Sequence, residues 1–260
     1  SNGTLFRSYD NFKSATEDLS LVNYDNTHAA KISTSPYGAQ CLAYITLPGG
    51  SNAWVNFIGQ QEGYYILEDI PENYNDDGSI VSANWAWVDV PGIPQWIGHA
   101  VRVTSGGIFV TSSFTAGIYY TADLVTWTKV ESRAGSLEVA GISGDSYGTY
   151  LAVERNTGIL IRNNSEVTGT FDPTAWVDLS SADGFTVTTP DGITVPAEHL
   201  PVTSGYLGTW WSGLGCAYGL WVCTVARKGS IADPVYAYSD NGIDWITYGG
   251  TFDDELITIW

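Results

Sequence analysis

One strand–turn–strand phrase recurs along the chain and constrains its fold more than any other feature. Its best copy runs from residue 235 to 246, where an alternating strand leads through Ser239-Asp240-Asn241-Gly242 to Trp245. A second copy, 118–128, passes through Thr121-Ala122-Asp123 to Trp127, and a third, 5–13, is centred on Asp10. Two more copies have longer turns, residues 64–69 leading to Trp87 and residues 159–163 leading to Trp176. In such a turn Asp or Asn accepts backbone N–H groups, Gly supplies positive φ and Trp covers the apolar face of the hairpin. Asp10, Asp123, Asp240, Gly242, Trp127 and Trp245 therefore read as hairpin locks rather than catalytic groups.

Two other strand types alternate with this hairpin. The first starts on a polar residue and ends β-branched, in residues 28–33, 99–104, 138–143, 198–203 and 255–260. The second follows Gly and is strongly apolar, in residues 41–45, 108–111, 150–153 and 220–223. Their order predicts a four-strand antiparallel module repeated about five times, an all-β, five-bladed β-propeller occupying residues 1–260 as a single domain. The chain enters on the opening strand of the hairpin phrase and leaves on a first-type strand. One blade is therefore expected to be shared by the two termini, which removes exposed sheet edges. One second-type strand is missing from the count: either the chain continues past Trp260 or the closing blade has three strands.

Composition narrows the partners. The net charge is −18, from 10 Lys and Arg against 28 Asp and Glu. Such a surface repels phosphate backbones and anionic lipid, so neither nucleic acid nor membrane insertion is expected. It suits an extracellular or virion setting, where salt screens self-repulsion. The chain opens on Ser1-Asn2-Gly3 and contains no Met, which predicts a processed form or a domain of a longer polypeptide. Cys41 and Cys223 lie in apolar strands and read as small buried hydrophobes, while a Cys216–Cys223 bridge stays open. No Cys/His spacing of the metal-binding kind is present, and no cofactor is expected. The triplet Asn163-Asn164-Ser165 matches a glycosylation acceptor, a pattern frequent by chance.

The Asp240-x-Gly242-x-x-Trp245 phrase resembles the Asp-box, the neuraminidase-type repeat of sialidases and of many non-enzymatic propellers, including bacteriophage tail and virion domains. That resemblance implies a fold rather than an activity. Residues 121–127 also look like a phrase of the five-bladed arabinanase and xylosidase clan. A sialidase would carry three converging arginines and a Tyr nucleophile assisted by Glu, and none of the six arginines sits in the family's Arg-Ile-Pro phrase. An arabinanase-type hydrolase needs carboxylates with divergent pKa near one mouth of the channel.

Two groups of residues remain as site candidates. His28, His99, Glu138, Glu198, His199 and Glu255 start the first-type strands, and repeat equivalence would set them round one rim of a central channel. The aromatic residues Tyr206, Trp210 and Trp211 lie in a long insertion, 205–215, and Trp54 and Trp96 lie in comparable connections. Exposed indoles beside Asn, Gln and Ser suit stacking on sugars or anchoring a protein interface. The function expected is a non-enzymatic propeller module of a larger assembly, a virus or phage structural or tail protein, with other protein subunits or a surface glycan as partner. The alternatives are a secreted glycosidase of the five-bladed type and a lectin propeller.

Overall fold

The computed structural model describes residues 6–7, 16–17, 39–58, 62–73, 85–112, 117–130, 138–154, 157–189, 192–200, 213–225 and 235–249. These form an all-β structure of consecutive antiparallel meanders. The first sheet is β3 (Ala39–Thr46), β4 (Asn52–Ile58), β5 (Gly63–Glu68) and β6 (Ala86–Asp89), preceded by a short ladder of β1 (Phe6–Arg7) and β2 (Thr16–Glu17). The second is β7 (Ile97–Arg102), β8 (Ile108–Ser112), β9 (Gly117–Thr121) and β10 (Thr128–Lys129). The third is β11 (Val139–Gly144), β12 (Tyr150–Glu154), β13 (Leu160–Asn163) and β14 (Val177–Asp178).

The last meander is β17 (Gly213–Ala217), β18 (Leu220–Val225), β19 (Val235–Ser239) and β20 (Asp244–Gly249). Its outer edge is extended by the hairpin of β15 (Thr186–Thr188) and β16 (Thr194–Pro196), β15 running parallel to β20 with Val187 opposite Trp245. Thr186 Oγ1 donates to Asp244 Oδ1 at 2.8 Å and Thr247 Oγ1 to the Thr188 carbonyl at 2.9 Å, fastening this addition.

Contacts group the chain into two compact units, one of Ser1–Arg102, Gly106–Thr115 and Tyr120–Thr128, the other of Val103–Ser105, Ala116–Tyr119 and Lys129–Trp260. In the first unit β3 lies beside β7. In the second β11 lies beside β17, around a core of Leu151, Leu160, Phe185, Leu214, Trp221 and Trp245. Each large apolar side chain withdrawn from water there contributes about 1.5–3 kcal/mol. Among the described residues no helix is long and apolar enough to cross a membrane.

Two strand assignments made from sequence change. Residues 41–45 belong to β3, the first strand of their meander, and the strand paired with it is Asn52–Ile58. The turn between them is made by Pro48-Gly49-Gly50-Ser51, with both glycines at positive φ and Leu47 N donating to Ser51 O at 2.7 Å. Trp54 consequently stands within a strand rather than a connection. In the last meander the first strand is Gly213–Ala217, which begins in the last three residues of the stretch read as an insertion, 205–215. Glu198 and His199 lie in irregular chain after β16, and residues 201–212 fall outside the described residues. Strong apolarity misled in both places: propeller-type blades bury their first and second strands alike, so hydrophobicity does not tell them apart.

Asn163 of the glycosylation triplet is fully buried; its Nδ2 donates to Asp172 O at 2.8 Å and its Oδ1 accepts from Ser165 Oγ at 2.7 Å. It is a structural plug. All three cysteines are free, with Leu214 opposite Cys223 and Trp221 opposite Cys216.

Candidate binding faces

The hairpin locks have one geometry in two sheets. Asp123 Oδ1 accepts Val125 N at 2.9 Å and Thr126 N at 2.7 Å, while Thr121 Oγ1 accepts Leu124 N at 2.8 Å. Trp127 Nε1 closes the turn on Leu124 O at 3.2 Å. In the last sheet Asn241 Oδ1 accepts Ile243 N and Asp244 N, each at 2.8 Å, Ser239 Oγ accepts Gly242 N at 2.8 Å, and Trp245 Nε1 reaches Gly242 O at 3.1 Å. Thr121 thus matches Ser239, Asp123 matches Asn241, Leu124 matches Gly242 and Trp127 matches Trp245. Asp240, read as the lock, is an exposed neighbour of the residue that does the locking. Leu124 and Gly242 share a left-handed backbone, φ 62° and 74°; Leu124 tolerates it because its side chain is buried. The backbone donors hold the Asp123 carboxyl down to about 2. Asp10 lies outside the described residues.

Among the described residues, His99, Glu138, Glu198 and His199 do not hold equivalent positions. Each first strand of the first three sheets carries a β-bulge near its start. The ladder skips Gln40 between Ala39 and Cys41, Gly98 between Ile97 and His99, and Ala140 between Val139 and Gly141. One extra residue shifts all later pairings. Aligned on the bulge, His99 corresponds to Cys41 and Gly141, whereas Glu138 precedes its strand. Glu198 accepts hydrogen bonds from the backbone N–H and hydroxyl of Ser181, and His199 Nδ1 lies 2.9 Å from Leu200 O. His28 and Glu255 lie outside the described residues. Among the described residues no three His, Cys, Asp or Glu side chains gather as a metal site.

Among the described residues, Tyr150 and Glu166 form a Tyr–Glu pair of the kind a sialidase nucleophile would use. Tyr150 donates to Glu166 Oε2 and its oxygen accepts Thr104 N at 2.8 Å. The side chain is fully buried, and burial with the Glu166 bond pushes the phenol up to about 12. A nucleophile needs the opposite shift and an open approach, and the buried Tyr150 hydroxyl has neither.

Of the aromatic candidates, Tyr206, Trp210 and Trp211 lie outside the described residues. Trp96 is half-buried in the connection before β7, at a left-handed φ of 57°. Trp54 is half-exposed on β4 and packs on Tyr44 of β3, its direct cross-strand neighbour, with ring centroids 4.8 Å apart and planes at 53°. The Tyr44 hydroxyl donates to Asp69 and is also bonded by the Asn52 side chain, which itself accepts from Thr46 Oγ1 at 2.9 Å.

Sequence reasoning missed two tyrosines. Tyr147 is 77% exposed in the β11–β12 turn, where Asp145 Oδ1 accepts Tyr147 N at 2.8 Å and Thr149 N at 2.9 Å. Tyr218 is 109% exposed in the β17–β18 turn. There Ala217 pairs with Leu220 across Tyr218, φ 52°, and Gly219, φ 80°. This is a two-residue turn of the kind that favours Asn-Gly. Gly141 lies against the Gly213–Leu214 backbone, and the Cys216 thiol, raised first by burial, is raised further by the charge of Asp145, so β11 and β17 run in the same direction and bring both turns to one end. The signal was present in sequence as Ser146-Tyr147-Gly148 and Ala217-Tyr218-Gly219, Tyr-Gly steps where Asn-Gly is expected.

Repeated four-strand antiparallel meanders with first strands laid side by side define an all-β protein on the plan of propeller blades. Solved structures similar to the chain include YCF48 bound to D1 peptide (15% identity, 94% of this chain and 60% of that one, TM-score 0.46) and virginiamycin B lyase from Staphylococcus aureus (10% identity, 97% and 64%, TM-score 0.48). YCF48 from Cyanidioschyzon merolae is a third (12% identity, 100% and 80%, TM-score 0.39). The chain spans only 60% and 64% of the first two proteins. At these identities and scores the likeness transfers neither a residue role nor an activity. No protein-family model and no curated protein matches the chain.

Proposed function

We propose that this protein is a non-enzymatic binding module of a larger assembly, a five-bladed propeller whose partner is another protein met at the β11–β12 and β17–β18 turns. The observation that carries the reading is Tyr218. A non-glycine residue in left-handed backbone costs on the order of 1–3 kcal/mol and persists where function demands it. Full exposure leaves Tyr218 without packing to offset that cost, unlike Leu124, and Tyr147 stands at the same end of the neighbouring sheet. Tyrosine supplies large, rigid contact area at low entropic cost, which suits a protein interface. The charge of −18 favours an extracellular or virion assembly, with basic segments as its partners.

The test pans a yeast-displayed peptide library on the wild-type protein and compares binders on a Tyr147→Ser/Tyr218→Asn double variant. Binders enriched in Lys and Arg that lose at least tenfold affinity on the double variant are expected. Failure to enrich any, binders indifferent to both substitutions, or release of p-nitrophenol from aryl arabinofuranosides or xylosides by the wild type would overturn the reading.

A further inference from the structure

The β3–β6 sheet carries a second feature, independent of the tyrosine turns. Asn56 stands in mid-strand on β4, between Leu42 of β3 and Tyr65 of β5. It is 0% exposed, and neither its Oδ1 nor its Nδ2 has a hydrogen-bond partner. Each buried polar group left unbonded costs about 1–3 kcal/mol. Leucine has nearly the same shape and would avoid that cost, so the amide stands out as a group held ready for something outside the chain.

Strand alternation puts Asn52, Trp54 and Asn56 on one face. Trp54 and Asn56 are two residues apart, about 6.6 Å along the strand. Leu42, opposite Asn56, is 45% exposed, so this face reaches solvent beside the buried amide. Tyr44 fixes the tilt of the Trp54 indole, and Asp69 and Asn52 fix the Tyr44 hydroxyl. The orientation of the Trp54 platform is therefore set before any ligand arrives, which lowers the entropic cost of binding, whereas the Asn56 amide, at 0% exposure, must first be uncovered by a local shift of the side chains around it.

We propose that the Trp54–Asn56 face binds a neutral pyranose sugar, with the indole stacking on the C–H face of the ring and the Asn56 amide pairing with its hydroxyls. A primary amide is uncharged and donates and accepts through two separate atoms, as adjacent sugar hydroxyls require. An aromatic platform with a few convergent polar groups is the usual build of a small-molecule site. The carboxylate of Asp69 and the charge of −18 select against anionic sugars.

The test titrates the intact protein with maltohexaose, cellohexaose and xylohexaose, with 3′-sialyllactose as the anionic control, by tryptophan fluorescence and calorimetry. One neutral oligosaccharide is expected to bind. Trp54→Ala, or Trp54→Phe if the first does not fold, should weaken it at least tenfold for Ala and less for Phe. Asn56→Leu should weaken it at least tenfold while leaving Tm equal or higher, because it removes an unbonded amide. The proposal is overturned if no neutral sugar binds, if sialyllactose binds more tightly, or if Asn56→Leu lowers Tm and keeps affinity. The Tyr147→Ser/Tyr218→Asn variant should bind the sugar like wild type, so this proposal and the protein-partner reading fail separately.

Discussion

Gly141 of β11 lies against Leu214 of β17 so closely that a Cβ on Gly141 would stand 2.5 Å from the Leu214 backbone nitrogen. Two first strands approach here backbone to backbone, with no side chain between them. Gly141→Ala should cost about 1–3 kcal/mol, the usual penalty of overpacking, or more because the obstacle is main chain. Gly98, the extra residue of the β7 bulge, has open space where its Cβ would go, so Gly98→Ala should change stability by no more than about 0.5 kcal/mol. Urea unfolding of the two variants checks both outcomes.

Asn241, not Asp240, should behave as the lock of the last hairpin. Asn241→Ala leaves the Ile243 and Asp244 N–H groups without their acceptor and should cost about 1 kcal/mol, as loss of a capping side chain does. Asp240→Ala should be neutral in the same thermal unfolding experiment.

Asp123 gives a pH signature. Its carboxyl is held near 2 in the fold, below the ordinary unfolded value of about 4. The depressed group therefore contributes stability above pH 4 that is lost as pH falls toward 2. Asp123→Asn keeps an acceptor for Val125 and Thr126 but cannot titrate. Its stability should fall less steeply than that of wild type between pH 4 and 2, as followed by circular dichroism.

Tyr150 acts at the opposite end of the scale. Its phenol is pushed up to about 12, above the unfolded value of about 10, so its contribution is complete below pH 10 and disappears as pH rises to 12. Tyr150→Phe leaves Thr104 N and Glu166 without the shared hydroxyl and should cost about 1–3 kcal/mol at neutral pH. Spectrophotometric titration of the wild type should show tyrosines ionising later than the exposed ones, Tyr150 and Tyr64 among them, and the variant should show one fewer.

Tyr218→Asn should raise stability by about 0.5–1 kcal/mol, since Asn adopts the left-handed turn at lower cost and no buried contact is lost. Differential scanning calorimetry reads this directly; a fall in Tm would mean that the tyrosine supports the fold.

By itself the sequence determined the all-β class, the four-strand rhythm and the hairpins around Asp123 and Trp245, because turn chemistry and strand alternation are local and act within a few residues. It also placed β7 and β11 nearly correctly. Tertiary structure alone decided which apolar strand comes first in a meander, since Ala39–Thr46 and Asn52–Ile58 are both largely apolar and composition does not order them. The bulges at Gln40, Gly98 and Ala140 were likewise invisible. One skipped residue leaves no compositional trace, yet aligning the strands on it sets His99 level with Gly141 rather than Glu138. The unbonded amide of Asn56 and the exposed, strained Tyr218 emerge only in three dimensions, because burial and backbone angle belong to the packed chain and not to the residue.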